Sequence, residues 1–183
     1  NDKIVVLELA FLQYRKGQRF LIESIEKIKE ETPLLGSKLH LILSGSGEDE
    51  QVLKEMVKVK NMGDMITFTG YCNNPIDFIN AADIFALPSV ANEDMPLVIL
   101  SAMKLGKPIV ATNFAGIQEE IESGVSGILI EPNEQTIVDN LVHALIEMSH
   151  CNNIWGKNAQ VRYEELFSPK IYERKLLEIY SKS

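Results

Sequence analysis

Residues 84–112 read IFALPSVANEDMPLVILSAMKLGKPIVAT, and the pattern of this stretch recurs along the chain. Short apolar runs at its two ends predict strands, and residues 96–105 between them predict a helix. That helix is apolar almost all round, which is typical of a buried helix. Pro96 suits its first turn and Gly106 suits the stop that follows it. Because a helix joins the two strands, they are expected to run parallel.

The same alternation extends over the rest of the chain. About six strands are predicted, at 3–8, 38–44, 66–69, 84–87, 108–112 and 127–130. Helices are predicted at 19–30, 48–60, 75–81, 96–105, 117–123, 134–148, 153–167 and 170–180. This order predicts an α/β fold, a doubly wound parallel sheet with helices on both faces. The 183 residues fit a single domain, 1–183.

The composition excludes several functions. The chain has 18 Lys and Arg residues against 26 Asp and Glu, a formal charge of −8. Nucleic-acid binders need clustered cations, so no nucleic-acid partner is expected. No apolar run approaches the ~20 residues of a membrane span. The two cysteines form no C-x-x-C pattern, which favours a reducing, cytoplasmic setting.

Ligands of doubly wound folds bind at the carboxyl ends of the strands. The loops after the predicted strands are therefore candidate sites: 10–17, 45–49, 70–74, 88–96 and 113–118. Gly45 and Gly47 lie in one of them, and glycine lets a backbone approach a phosphate closely. A plain tight turn explains the same residues. The dinucleotide fingerprint is incomplete, because Glu50 stands where its third glycine would be.

Charged residues in two of these loops are compatible with phosphate or sugar chemistry. Lys16 can neutralise a diphosphate, or it can belong with Arg15 to a solvated pair of charges that opens a helix. Glu93 or Asp94 can accept bonds from sugar hydroxyls beside the free amides of the next helix, or can simply cap that helix. The residues alone leave both alternatives open.

Motifs in a fixed order carry a resemblance to a known family. They are FALPS at 85–89, EDMPLVILSAM at 93–103, GKPIVAT at 106–112 and Gly116, supported by KG at 16–17, GSG at 45–47 and FTG at 68–70. With these motifs the chain resembles the nucleotide-sugar half of group 1 glycosyltransferases, family 4 of the retaining GT-B enzymes. The match runs over nearly the whole chain.

The resemblance implies a Rossmann-like C-terminal GT-B domain that binds a UDP-, GDP- or ADP-hexose. A separate N-terminal domain, absent from this chain, would bind a glycan or lipid-linked acceptor. The full-length protein would be a retaining hexosyltransferase of polysaccharide biosynthesis, and the isolated fragment would be inactive. Catalysis in this family needs no metal or other cofactor. The expected location is the cytoplasm, with peripheral attachment to the inner face of the membrane left open.

The resemblance also assigns roles to residues. Glu93 matches the first acid of the family's Glu-x7-Glu motif, which contacts the donor sugar, so it is the candidate catalytic residue. Lys16 matches the basic residue that contacts the diphosphate. The other candidate donor-binding residues are Gly45 and Gly47 near the nucleotide, Tyr71 and Cys72 at the base, Asp94, Met95, Pro96 and Leu97 at the sugar and phosphate, and Ser101 at the ribose.

Two positions depart from the family pattern. The second acid of the motif, which binds the ribose hydroxyls, falls at Ser101, and an Arg of the diphosphate site falls at Phe11. Each lost charged bond is expected to cost about 1.5–3 kcal/mol. One alternative is therefore a non-catalytic binding or interaction domain of the same fold with weakened donor binding. Another is a GT-B enzyme of different chemistry, such as a nucleotide-sugar epimerase, although no additional general acid or base stands out.

Overall fold

The computed structural model describes residues 3–91, 93–151 and 153–181. The strands are Ile4–Leu9 (β1), Leu39–Ser44 (β2), Ile66–Gly70 (β3), Ile84–Leu87 (β4), Ile109–Thr112 (β5) and Ile128–Ile130 (β6). The helices are Gln18–Glu31 (α1), Pro33–Gly36 (α2), Glu50–Val59 (α3), Pro75–Ala81 (α4), Leu97–Lys104 (α5), Ala115–Glu120 (α6), Ile137–His150 (α7), Ile154–Leu166 (α8) and Pro169–Tyr180 (α9). A 3-10 turn, Tyr14–Lys16, precedes α1. Within the described ranges, no helix combines the length and apolar character that crossing a bilayer requires.

The strands form one six-stranded sheet in the order β3-β2-β1-β4-β5-β6, and every neighbouring pair is parallel. The predicted doubly wound α/β fold is therefore confirmed. The strands are near-continuous apolar runs because helices cover both faces of the sheet. All residues of β4 and β5 are buried for this reason.

Two hydrophobic cores lie on opposite faces of the sheet. Val6 of β1 belongs to a core formed with α1, α3 and α7, which includes Ile25 and Leu141. The next residue, Leu7, belongs to a core formed with α4, α5, α6 and α8, which includes Ile99. Successive strand residues point to opposite faces, so the pleat of β1 accounts for this division.

The helix expected at 96–105 differs from the prediction at its start. Pro96 has an extended backbone (ψ 108°) and lies just before α5 rather than in its first turn. Leu97 is exposed, so α5 is not buried all round. Gly106 has a left-handed backbone (φ +64°) and ends the helix as predicted. Two short elements, Tyr14–Lys16 and Pro33–Gly36, are absent from the prediction, and α6 begins at Ala115 rather than at 117.

The order of the strands places a crevice at the carboxyl ends of β1 and β4. From β1 the chain proceeds outward through β2 and β3, whereas β4 lies on the other side of β1 and leads to β5 and β6. The connections that leave β1 and β4 therefore diverge. Ligands of doubly wound sheets bind between such diverging connections.

Candidate functional site

A cleft of about 350 Å³ lies at this edge of the sheet, where the site is expected. The connections that follow the first four strands all contribute to its walls. They supply Leu9, Ala10, Phe11, Arg15 and Lys16 from β1 onward; Ser44, Gly45 and Ser46 from β2; Tyr71 and Cys72 after β3; and Leu87, Glu93, Pro96, Leu97 and Val98 from β4 to α5.

Lys16 and Glu93 meet in this cleft, although they come from connections far apart in the sequence. The Lys16 ammonium donates a hydrogen bond to Glu93 Oε1. Only 11% of the Lys16 side chain and 8% of the Glu93 side chain are exposed. The interpretation of Lys16 as part of a solvated charge pair is therefore wrong.

Backbone contacts hold the turn that carries Lys16. Gly17 has a left-handed backbone (φ +81°), and a side-chain carbon at this position would lie 2.0 Å from the Pro88 carbonyl oxygen. The Val90 amide donates to the Arg15 carbonyl at 2.8 Å. The connections after β1 and β4 are thus joined through their main chains, which keeps Lys16 beside Glu93.

One carboxylate oxygen of Glu93 accepts two hydrogen bonds and forms an ion pair with a third group. In addition to Lys16, the Ser89 hydroxyl donates to Glu93 Oε1 at 2.7 Å, and the Arg15 guanidinium lies 3.5 Å from it. Ser89 is buried, whereas 43% of the Arg15 side chain is exposed. No side-chain hydrogen bond caps α5, so the interpretation of Glu93 or Asp94 as the cap of this helix is wrong.

Glu8 is a buried acid near this cluster that is not among the residues predicted for the site. Gln18 Nε2 donates to Glu8 Oε1 at 3.0 Å, and Oε2 is buried without a hydrogen-bond partner. Burial raises the pKa of the Glu8 carboxyl well above its usual range, while the charge of Lys16 lowers it and that of Glu93 raises it. The sequence could have indicated Glu8 as a site residue, because it is an acid inside the apolar run of β1. Buried acids with a perturbed pKa cluster at functional sites.

Gly45 and Gly47 allow two backbones to pass closely. A side-chain carbon at Gly45, which has φ +145°, would lie 1.9 Å from the Ala10 carbonyl oxygen. The same carbon at Gly47 would lie 2.1 Å from the Leu12 carbonyl oxygen. Both glycines therefore allow the connections after β1 and β2 to pack closely, and the tight-turn interpretation stays a prediction. Gly45 also lines the cleft, whereas Gly47 does not. The expected approach of these glycines to a nucleotide stays a prediction.

Four further predicted residues reach the cleft: Tyr71, Cys72, Pro96 and Leu97. Tyr71 and Cys72 follow β3, whereas Pro96 lies just before α5 and Leu97 is the first residue of that helix. Phe11 also lines the cleft, with 68% of the residue exposed. At the position of the family's Arg, the cleft thus presents an uncharged aromatic ring.

Asp94, Met95 and Ser101 lie outside the residues that line the cleft. The Asp94 backbone packs on Gly116, where an added side-chain carbon would lie 1.1 Å from the Asp94 carbonyl oxygen. The Ser101 hydroxyl donates to the Leu97 carbonyl at 2.9 Å, and Met95 is exposed. Their contacts with a donor remain predictions.

Glu120 of α6 is a further buried acid, and neither of its carboxyl oxygens has a hydrogen-bond partner. Burial raises the pKa of Glu120 to about 8, with smaller contributions from the charges of Glu119 and Glu93. Arg162 donates to the Glu120 main-chain carbonyl at 2.8 Å. Within the part of the chain that the structure describes, no group of three or more His, Cys, Asp and Glu side chains is placed to hold a metal ion.

The fold and the cleft define the class of the protein. It is a Rossmann-like α/β domain with a partly basic, glycine-bordered crevice at the point where the strand order reverses. The sequence profile of the family "Glycosyl transferases group 1" matches residues 1–162. The chain belongs to this family, as the resemblance predicts.

Relatives of known sequence agree with this assignment. The uncharacterized glycosyltransferase MJ1069 of Methanocaldococcus jannaschii is 30% identical over 184 residues, which cover 95% of this chain and 46% of that protein. The alpha-D-kanosaminyltransferase of Streptomyces kanamyceticus is 24% identical over 161 residues, which cover 87% of this chain and 40% of that protein. The chain thus spans less than half the length of these two relatives.

Solved structures agree as well. Anabaena HepE in complex with UDP superposes with a TM-score of 0.84 at 26% identity, covering 100% of this chain and 50% of HepE. The complex of HepE with UDP-glucose gives a TM-score of 0.82 at 27% identity, covering 99% of this chain and 49% of HepE. The predicted GT-B fold is therefore confirmed, and the chain spans about half the length of HepE.

Proposed function

We propose that this chain is the donor-binding half of a hexosyltransferase. The complete enzyme moves a hexosyl group from a UDP-, GDP- or ADP-hexose to a glycan or lipid-linked acceptor and retains the anomeric configuration. An N-terminal domain outside this chain binds the acceptor, so the chain alone is inactive. Membership of the glycosyl transferase family supports this proposal, as do the UDP and UDP-glucose complexes of HepE.

The observation that carries the proposal is the convergence of Lys16 and Glu93 in one cleft at the switch point of the sheet. A nucleotide sugar presents a diphosphate next to a ring of hydroxyls. It therefore needs a cation and a hydrogen-bond acceptor side by side. The nearly buried ammonium and carboxylate supply both, because a charge with little access to water acts more strongly on a ligand.

Each part of the cleft has a task in this reaction. The Lys16 ammonium and the amides at the start of α5 stabilise the negative charge that develops on the departing diphosphate. Glu93 accepts hydrogen bonds from the donor sugar, and the backbone at Tyr71 and Cys72 meets the base. We propose that no metal ion takes part, since these groups can carry the phosphate charge.

Titration calorimetry with UDP, GDP, ADP and their hexose conjugates tests the proposal. We expect one nucleotide series to bind, and we expect Lys16→Ala to weaken that binding about tenfold to a hundredfold. The control is Lys54→Ala, which removes the same charge from a surface ion pair with Glu50 outside the cleft. The proposal fails if none of these ligands gives heat or a thermal shift at millimolar concentration.

A non-catalytic binding domain is the second candidate function. Phe11 favours it, because an exposed ring replaces a phosphate-binding cation in the cleft wall. Ser101 favours it as well, because its hydroxyl is bonded to the Leu97 carbonyl of its own helix rather than directed into the cleft. Such a domain would keep the fold and bind nucleotide weakly.

Replacing Ser101 distinguishes the two functions. We expect Ser101→Glu to tighten nucleotide binding about tenfold, because a carboxylate restores a charged bond to the ribose hydroxyls. Ser101→Gln is the matched control, since it has the same length without the charge. Equal affinities for the two variants and the wild type, measured by calorimetry, would favour the repurposed domain.

A further inference from the structure

The cleft holds an internal anion between two neighbouring cations. Lys16 donates to Glu93 Oε1, and Nη1 of Arg15 lies 3.5 Å from the same oxygen. Once the Gln13 amide is oriented with its oxygen toward Arg15, that oxygen accepts from Nε and Nη2 at 2.9 and 3.1 Å. Gln13 thus orients the Arg15 guanidinium. The third guanidinium nitrogen, Nη1, is the one that lies near Glu93.

Two buried acids near Glu93, Glu8 and Glu120, do not compensate these cations. Burial raises the pKa of the Glu8 and Glu120 carboxyls, which favours their neutral forms. Glu93 is therefore the carboxylate that balances Arg15 and Lys16 in the cleft. Two positive charges against one negative charge leave the cleft attractive to a further anion.

We infer that Arg15 supplies the second cation of the diphosphate site, and that Glu93 holds Arg15 and Lys16 until a diphosphate displaces its carboxylate. This inference rests on the proposed function. Phe11 carries no charge, whereas Arg15, on the same connection after β1, presents a guanidinium to the same cleft. The 3-10 turn Tyr14–Lys16 contains both Arg15 and Lys16, so both cations reach the same carboxylate oxygen of Glu93.

Because a diphosphate has to displace the Glu93 carboxylate, Glu93 has opposite effects on the affinities of two ligands. A free nucleoside diphosphate has to compete with the carboxylate for Arg15 and Lys16, so Glu93 weakens its binding. A nucleotide sugar also has to displace the carboxylate, but its hydroxyls can then bond to the released oxygen. Glu93 thereby discriminates the donor from the diphosphate product and favours release of that product.

The experiment measures the affinities of UDP, GDP, ADP, UDP-glucose and inorganic pyrophosphate by calorimetry for the 183-residue chain and its variants. Pyrophosphate carries the diphosphate charge without a base or a sugar. We expect Arg15→Gln to weaken binding of UDP and pyrophosphate about tenfold. Arg19→Gln is the control, because Arg19 is a neighbouring cation that pairs with Glu23, packs over the Phe20 ring and does not line the cleft. It should change either affinity less than twofold.

The Glu93→Gln variant tests the second half of the inference. We expect this variant to bind UDP and pyrophosphate several-fold more tightly than the wild type does. The ratio of the affinity for UDP-glucose to the affinity for UDP should fall. The inference is overturned if Arg15→Gln and Arg19→Gln change the affinities for UDP and pyrophosphate equally, or if Glu93→Gln weakens the binding of pyrophosphate. In either case, nucleotide binding by the wild type still supports the proposed function. A wild type that binds pyrophosphate in the expected pattern but none of UDP, GDP and ADP would overturn the proposed function instead. A wild type that binds none of the ligands would overturn both.

Discussion

Gly17→Ala is expected to destabilise the domain by about 3 kcal/mol and to abolish nucleotide binding. Two costs add at this position. The backbone is left-handed, with φ +81°, which an L side chain adopts only with strain. In addition, the new methyl group would lie 2.0 Å from the Pro88 carbonyl oxygen, so the connections after β1 and β4 have to separate. Lys16 would move away from Glu93 with its turn, which is why we expect binding to be lost.

Gly124→Ala is a closely matched control for this prediction. Its φ is +83°, but a side-chain carbon there has no neighbour within 4 Å, so it carries the backbone cost alone, about 1 kcal/mol. Thermal unfolding should show a loss of about 6–12 °C for Gly17→Ala and about 2–4 °C for Gly124→Ala. Equal losses for the two variants would show that the contact between Gly17 and Pro88 contributes nothing.

The fold follows from local patterns in the sequence, and so does the approximate place of the site. Apolar runs such as β4 are long enough to be buried on both faces, and their alternation with helices leaves few topologies. The connections after β1 and β4 are therefore predictable neighbours at one edge of the sheet. The short turn Tyr14–Lys16 is not predictable in this way, because it depends on Gly17 meeting Pro88, a contact distant in sequence.

The electrostatics of the site could not be predicted from the sequence, because they depend on burial. Glu8 and Glu120 are ordinary acids in the sequence, and only the packing around them removes water from their carboxyls. Arg15 and Arg19 are both basic residues of the same region, yet only the first lines the cleft. Which of the two cations faces the cleft depends on the conformation of the turn that contains Arg15, and the periodicity of the sequence does not encode that conformation.

Glu120→Gln is expected to make the domain more stable at alkaline pH and to leave it unchanged at pH 5. The pKa of Glu120 rises from 4.5 to about 8 on folding, so the folded state binds the proton more tightly than the unfolded chain does. Stability contributed by this proton is fully present below about pH 4.5, falls as the pH rises and is lost above about pH 8. The glutamine amide resembles the neutral carboxyl and does not titrate, so the variant avoids this loss.

The size of the effect follows from the same shift. Because water and structural relaxation screen part of the charge, the gain at pH 9 should be on the order of 2 kcal/mol, or about 4–8 °C in thermal midpoint. Glu119→Gln is the control, since its side chain is exposed and lies next to Glu120 in the chain. Thermal midpoints measured from pH 5 to pH 9 should diverge only for Glu120→Gln. Parallel curves for the wild type and both variants would show that Glu120 is ionised in the folded protein at neutral pH, and its negative charge would then act on Glu93 and the cations beside it.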